Sequence, residues 1–351
     1  MMKFYSLFLI FIFTLSASAS ELFVWKQFSD GPKIILYRED GQSYNDAVSN
    51  YLNALNKSPH LKTLRQQRDL SQYKVDGEIQ FEKGQIETLE RRNWKPRFIV
   101  VINEIRELFN NPIGRRIVNV DNILSDYGAE VYTLPVVHDV HLNGASAKEY
   151  RRKIIEQFDA TLVLGGADID PYLYGENNTF SKGLVRKRDL SELKFVRSFI
   201  QAKRGMSFGI CRGHQMCAVA NGKKLTQDIQ IEKNADHIHL KGEHLIEIKE
   251  NSELSRLFDK KEIKVNSLHH QEVDVLENDD FYRISGVSYD NWPIVEALEF
   301  RNNLGMTIQF HPELMPDEIG TSIMRRFVEL AQKQKNARSN CFELINEYFN
   351  N

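Results

Sequence analysis

Cysteine is scarce in this chain, and that excludes a disulfide scaffold. Its 351 residues hold three, Cys211, Cys217 and Cys341, an odd count too low for a bridged framework. Cys211 and Cys217 stand roughly 9 Å apart along a helical path, beyond the roughly 7 Å between Cα atoms that a bridge tolerates. Charge of one sign is also lacking. With 46 Lys+Arg against 48 Asp+Glu the formal net charge is −2; no basic stripe concentrates it, so nucleic acid is not an expected partner. Long apolar runs are missing as well, since Phe4 to Leu15 falls several residues short of the about 20 that a membrane helix needs. There is no internal repeat and no low-complexity linker.

What the N-terminus does carry is Lys3, that short apolar run, and Ala17-Ser18-Ala19, a small-x-small cleavage pattern. Residues 1–19 are therefore expected to be a signal peptide, with the mature protein periplasmic or secreted and not stably inserted in a membrane. No cysteine follows the cleavage site, so lipid attachment is not expected there. An exposed reactive thiol outside the cytosol is prone to oxidation, which makes the setting of any functional cysteine important.

One cysteine stands in such a setting. Met206-Ser207-Phe208-Gly209-Ile210 reads as a buried strand, and Gly213 to Ala220 as a helix start rich in small side chains. Cys211 falls on the turn between them, with Gly209 and Gly213 two residues to either side, as in the serine elbow G-x-S-x-G. The helix N-terminus favours a thiolate there, and Arg212 adds positive charge beside it. Farther on, Gly305 to Phe310 reads as a strand running into His311-Pro312-Glu313. If that triplet stays extended, His311 and Glu313 project to one side, and Glu313 can orient the imidazole. A free cysteine is most often simply buried; the elbow together with the triplet makes a nucleophile, base and orienting group the better reading. A third segment, Asp159 to Leu164, is an apolar strand ending in Gly165-Gly166, where backbone N–H groups can approach an oxyanion together with the amide of Arg212.

From Phe98 to Leu164 strand-like and helical stretches alternate (Phe98 to Ile102, Ile117 to Tyr127, Glu130 to Val136, Ala147 to Phe158, Ala160 to Leu164). That alternation predicts an α/β fold, a parallel sheet sandwiched by helices, with the nucleophile at the carboxyl end of a strand. The domain is expected over residues 96–333, after an N-terminal extension of mainly helical character over 20–95 and before a C-terminal helical tail over 334–351. In the extension Val48, Tyr51, Leu52 and Leu55 have helical spacing, and Leu61, Leu64 and Leu70 continue it. His237, His239 and His244 lie close together, and His269-His270 follow, but no carboxylate or cysteine accompanies them at a recognisable zinc spacing, so no metal is expected. Asp168 and Asp170 look superficially like a glycosidase pair, yet nothing else supports sugar chemistry.

The elbow, the Gly165-Gly166 loop with its continuation Asp168-Ile169-Asp170-Pro171-Tyr172-Leu173-Tyr174-Gly175-Glu176, the stretch Val265-Asn266-Ser267-Leu268-His269-His270-Gln271 and the His311-Pro312-Glu313 triplet together resemble the class I glutamine amidotransferase-like superfamily. The closest resemblance is to its γ-glutamyl-γ-aminobutyrate hydrolase family of cysteine peptidases, C26, from about Pro96 to about Gln332. Arg188-Asp189 also matches the family pattern. The resemblance implies a flavodoxin-like fold, Cys211, His311 and Glu313 as triad, an oxyanion hole at Gly166 and Arg212, and no cofactor. It points to Gly165, Asp168, Gln215, His269, His270 and Gln271 as substrate-binding residues, and to a small γ-glutamyl amide or peptide as substrate. Two other readings use the same residues: a glutaminase subunit supplying ammonia to a separate synthase, and a catalytically silent binding protein on this fold.

Overall fold

A computed structural model of the chain describes residues 20–26, 32–56, 85–89, 94–102, 113–135, 139, 142–235, 239–275, 277–289 and 292–350. The signal-peptide segment, the helical spacing of Leu61, Leu64 and Leu70, and His237 lie outside them.

The centre of the molecule is built from strands whose residues are buried without alternation: β4 (Arg97–Ile102), β6 (Ala160–Val163) and β7 (Met206–Ile210). Such continuous apolar runs are what a parallel sheet covered on both faces requires. With β5 (Glu130–Pro135) and β14 (Gly305–Ile308) they form a parallel run in the order β14-β7-β6-β4-β5. Alternate side chains divide between two cores. Ile99, Val101 and Val163 face one side, where α3 (Gly144–Gln157) and α4 (Arg186–Ala202) lie. Phe98, Val100, Leu162 and Phe208 face the other, against α2 (Ile113–Asp126) and α8 (Glu318–Asn350), with Phe208 stacked on Phe327 at 4.4 Å between centroids. Helix α3 starts where Asn143 caps it, its side chain accepting from the amides of Ala145 and Ser146. This is the flavodoxin-like α/β sandwich expected from the sequence.

The sheet extends at both edges. Beyond β14, the antiparallel strands β13 (Pro293–Phe300), β12 (Tyr282–Tyr289), β9 (Gly242–Ile248) and β10 (Glu262–Ser267) continue it. At the opposite edge the expectation of a mainly helical extension is corrected for the described residues. Helix α1 (Tyr44–Asn56) forms as its spacing predicts, but β1 (Glu21–Lys26), β2 (Ile34–Arg38) and β3 (Gln85–Thr88) add strands to the sheet through a parallel pair between Ile34 of β2 and Thr133 of β5. Leu22 to Trp25 and Ile34 to Tyr37 are apolar runs of strand length, and α1 covers them with Ala47 and Tyr51 packed on Phe23, Trp25 and Leu36.

The expected break between domain and tail is also absent. Helix α8 runs without interruption through residues 333 and 334. Past that point Lys335 and Arg338 pair with the buried carboxylate of Asp159, at the start of β6.

Candidate active site

Parallel pairing of β7 with β14 sets Ile210 beside Ile308, so Cys211 and His311 leave adjacent strands at the same carboxyl edge. Cys211 lies on a tight turn into α5 (Arg212–Ala220), with φ 53° and ψ −112°. A positive φ on a cysteine is a strained backbone, the kind a structure retains where the side chain must be aimed. Its amide donates to the carbonyl of Ile308 at 2.8 Å. The flanking glycines are required by space: a Cβ on Gly209 would lie 2.5 Å from the carbonyl oxygen of Gly213, and one on Gly213 would lie 1.9 Å from that of Val163. Gly165 gives similar clearance to the functional groups, since a Cβ there would lie 2.9 Å from Cε1 of His311 and 3.4 Å from Cβ of Cys211.

His311 is 2% exposed and held on three sides. Its Nδ1 lies 2.8 Å from Oε1 of Glu313, its opposite edge and the Cys211 side chain both lie against Gly165, and its main chain is gripped by Asn266. The Asn266 Oδ1 accepts from the His311 amide at 2.8 Å, and its Nδ2 donates to the His311 carbonyl at 2.9 Å. Burial works against a charged imidazole here, but the pull of the Cys211 sulfur, with Glu313 assisting, overcomes it and leaves the His311 pKa pushed up to about 10. The arrangement therefore favours the imidazolium form of His311.

Several sequence expectations change in detail. The triplet is not extended: Pro312–Leu314 forms a 3₁₀ turn, which brings Glu313 under the ring. The Arg212 side chain does not lend net positive charge to the thiol. It is buried against Glu192 at 2.6 Å and Asp189 at 2.8 Å, and Asp189 also pairs with Arg188 at 2.5 Å. Its main-chain amide still opens α5, among those without a helical partner, and Gly166 lies exposed on the loop after β6. Cys211 is 8% exposed rather than open to solvent. Cys217 is likewise free and buried, and burial pushes its thiol well above the ordinary range, an inert setting.

The six expected substrate residues separate. Gly165 abuts the thiol and imidazole. Asp168 accepts from the amide of Lys182 at 2.7 Å and faces His270 Nε2 at 3.0 Å, while His270 Nδ1 faces Asp228 at 3.4 Å. Asp168 foremost, with Asp228, raises the His270 pKa. Gln215, His269 and Gln271 are buried and engaged with groups inside the protein. Gln215 donates to the Gln271 carbonyl and to Gln309. Gln271 donates to Ser181 and to the Gln227 carbonyl. His269 turns toward Glu296. Asp170 is a structural cap, accepting from the amide of Tyr172 at the start of the 3₁₀ turn Pro171–Tyr174. A cavity of about 460 Å³ lies behind the Glu313 turn, lined by Asn119, Leu314 and Met324 among others, and Cys211 is not part of its wall. The residue that sequence reasoning missed is Asn266; only its place in the Val265 to Gln271 stretch marked it.

The matching family model is that of peptidase C26, over residues 120–313. The chain belongs to the peptidase C26 family, within the class I glutamine amidotransferase-like superfamily. It is similar to the glutamine amidotransferase-like protein YvdE of Lactococcus lactis subsp. lactis, with 28% identity over 200 residues, 55% of this chain and 78% of that protein. It is also 29% identical over 173 residues to a glutamine amidotransferase of Mycobacterium tuberculosis, 47% of this chain and 54% of that one. Among solved structures, the glutaminase domain of Trypanosoma brucei CTPS with bound acivicin has a TM-score of 0.51 at 16% identity, covering 68% of this chain and 94% of that domain, a likeness of fold. The family makes the chain a hydrolase or amidotransferase-like enzyme acting on amides of the glutamine type.

Proposed function

We propose that the chain is a cysteine hydrolase of γ-glutamyl amide bonds, with Cys211, His311 and Glu313 as its triad. The observation that carries this reading is the strained Cys211 at the elbow, set beside Gly165 with a buried imidazole that Glu313 holds from behind. The Cys211 sulfur attacks the γ-carbonyl carbon, and the carbonyl electron pair moves onto oxygen, which rests on main-chain amides near Gly166 and Arg212. Collapse re-forms the carbonyl and breaks the C–N bond, while His311 gives its proton to the departing amine. A water molecule, losing its proton to His311, then attacks the thioester and frees glutamate and the thiol. Asp168, with His270 and Asp228, supplies net negative charge suited to the α-ammonium of the glutamyl group.

The names of the relatives favour a second substrate, free glutamine, for the same machinery. The test is amine or ammonia release from a panel of γ-glutamyl amides and glutamine, with the reduced full chain and its Cys211→Ala variant. Release from the amides that depends on Cys211 is the expected result. Release from glutamine alone moves the assignment to a glutaminase, and equal release by the variant overturns it.

A further inference from the structure

Four residues scattered along the chain meet at one buried point on the antiparallel side of the sheet. His244 lies on β9, His239 just before it, His269 just after β10, and Glu296 on β13. They are joined through the main chain, since the His239 carbonyl accepts from the His269 amide at 2.8 Å and from the Ser267 hydroxyl at 3.0 Å. The Glu296 carboxylate is completely buried. One of its oxygens, Oε1, has three imidazole nitrogens around it: His244 Nε2 at 3.1 Å, His269 Nε2 at 3.4 Å and His239 Nδ1 at 3.7 Å. The rings pack together, His239 at 4.5 Å from His244 and 5.2 Å from His269 between centroids.

One hydrogen bond determines what the cluster needs. His269 Nδ1 lies 3.0 Å from the Gln271 carbonyl oxygen, and a carbonyl only accepts, so that nitrogen carries the hydrogen. In a neutral His269 the Nε2 that faces Glu296 is then a bare lone pair. A lone pair set against a carboxylate oxygen in a dry interior is repulsive unless a positive charge lies between them.

A proton and a metal ion are the two species that fit, and distance and donor type favour the metal. Zinc bonds of about 2.0–2.1 Å in tetrahedral geometry place neighbouring donors about 3.3–3.4 Å apart; the separations of 3.1, 3.4 and 3.7 Å straddle that value. Donor atoms of His239, His269 and Glu296 all lie within 4.8 Å of one another. We propose that His239, His269 and Glu296 bind a divalent transition-metal ion, zinc by their donor chemistry, with His244 packed against the Glu296 carboxylate beside them. The contact from His269 Nδ1 to Gln271 is the kind of outer hydrogen bond that fixes a ligand histidine.

Three protein donors, a further imidazole against Glu296 and almost no solvent access suit a structural rather than a catalytic ion. Its role is to tie β9, β10 and β13 together beside the catalytic edge. The Glu296 carbonyl accepts from the amide of Gln309 at 2.8 Å, two residues before His311, so order at the metal is passed to the base. No carboxylate stands at a recognisable zinc spacing from these histidines in the sequence; Glu296 reaches them only through sheet pairing.

The test is elemental analysis of the purified full chain, followed by removal of metal with a chelator and titration with cobalt(II), whose visible absorption reports coordination without reference to activity. The expected result is stoichiometric zinc in the wild type and in Cys211→Ala, a cobalt band of tetrahedral intensity, and a lower Tm after chelation. Glu296→Gln and His239→Ala are expected to weaken metal affinity by roughly tenfold or more. Folded wild-type protein that takes up neither zinc nor cobalt overturns the proposal in favour of a proton shared within the cluster, whatever the variants do. Loss of the metal in Cys211→Ala overturns it by placing the ion at the thiol.

Discussion

The proposed mechanism joins two demands on His311: it has to be charged beside the sulfur and still exchange protons. With its pKa pushed up to about 10, the imidazolium persists through neutral pH, and kcat/KM is expected to fall on the alkaline side near that value rather than near the ordinary histidine range. Removing the supporting negative charge lowers the pKa, so a pH–rate profile of Glu313→Gln is expected to shift that limb toward lower pH. An unmoved limb in the variant would mean that Glu313 does not act on the ring. Asn266 acts on the same residue through the main chain. Asn266→Ala is expected to lower kcat by roughly ten- to hundredfold with little change in KM, since small displacements of a catalytic group have effects of that size; steady-state kinetics separates the two. That Cys211, His311 and Glu313 come together could be read from the sequence because each sits in a local pattern of glycines, strand and proline. Asn266 could not, because its function lies in two hydrogen bonds across to a segment distant in sequence.

The elbow is an element built by exclusion. Helix α5 approaches β6 so closely that a methyl group on Gly213 would overlap the Val163 carbonyl. Gly213→Ala is therefore expected to cost at least the about 1–3 kcal/mol typical of overpacking, whereas Gly144→Ala, with open space around it, is expected to stay within about 0.5 kcal/mol of wild type. Denaturant unfolding of the two variants checks this. Helix α5 is tied to α4 through the buried Arg212 pair with Glu192 and Asp189. Glycine spacing made the elbow legible, but the direction of the Arg212 side chain did not follow from its position beside the thiol: two carboxylates on α4 take it away. The 3₁₀ turn at Pro312 was hidden for a similar reason, since proline after an extended residue suits both a continuing strand and a turn.

At the scale of the whole molecule, the central parallel strands could be foreseen because burial on both faces writes continuous apolar runs. Strands β1 and β2, near that edge of the sheet, carry such runs too, but the helical spacing of α1 and the polar residues after it point toward a helical arm. The C-terminal helix belongs to the core rather than to a tail. A chain ending at Lys333 loses both cations that reach the buried Asp159 carboxylate. Because those cations are partly exposed, truncation is expected to cost somewhat less than the roughly 3–5 kcal/mol of a fully buried broken pair. A Tm equal to that of the full chain would contradict this anchoring.

The most direct test of the account is the covalent intermediate. Rapid acid quench of the reduced full chain turning over a γ-glutamyl amide, followed by peptide mass spectrometry, is expected to find one γ-glutamyl group on the peptide bearing Cys211, removable by hydroxylamine as a thioester is. Turnover with no adduct on Cys211, or with the adduct on another residue, would contradict the assignment of Cys211 as the nucleophile.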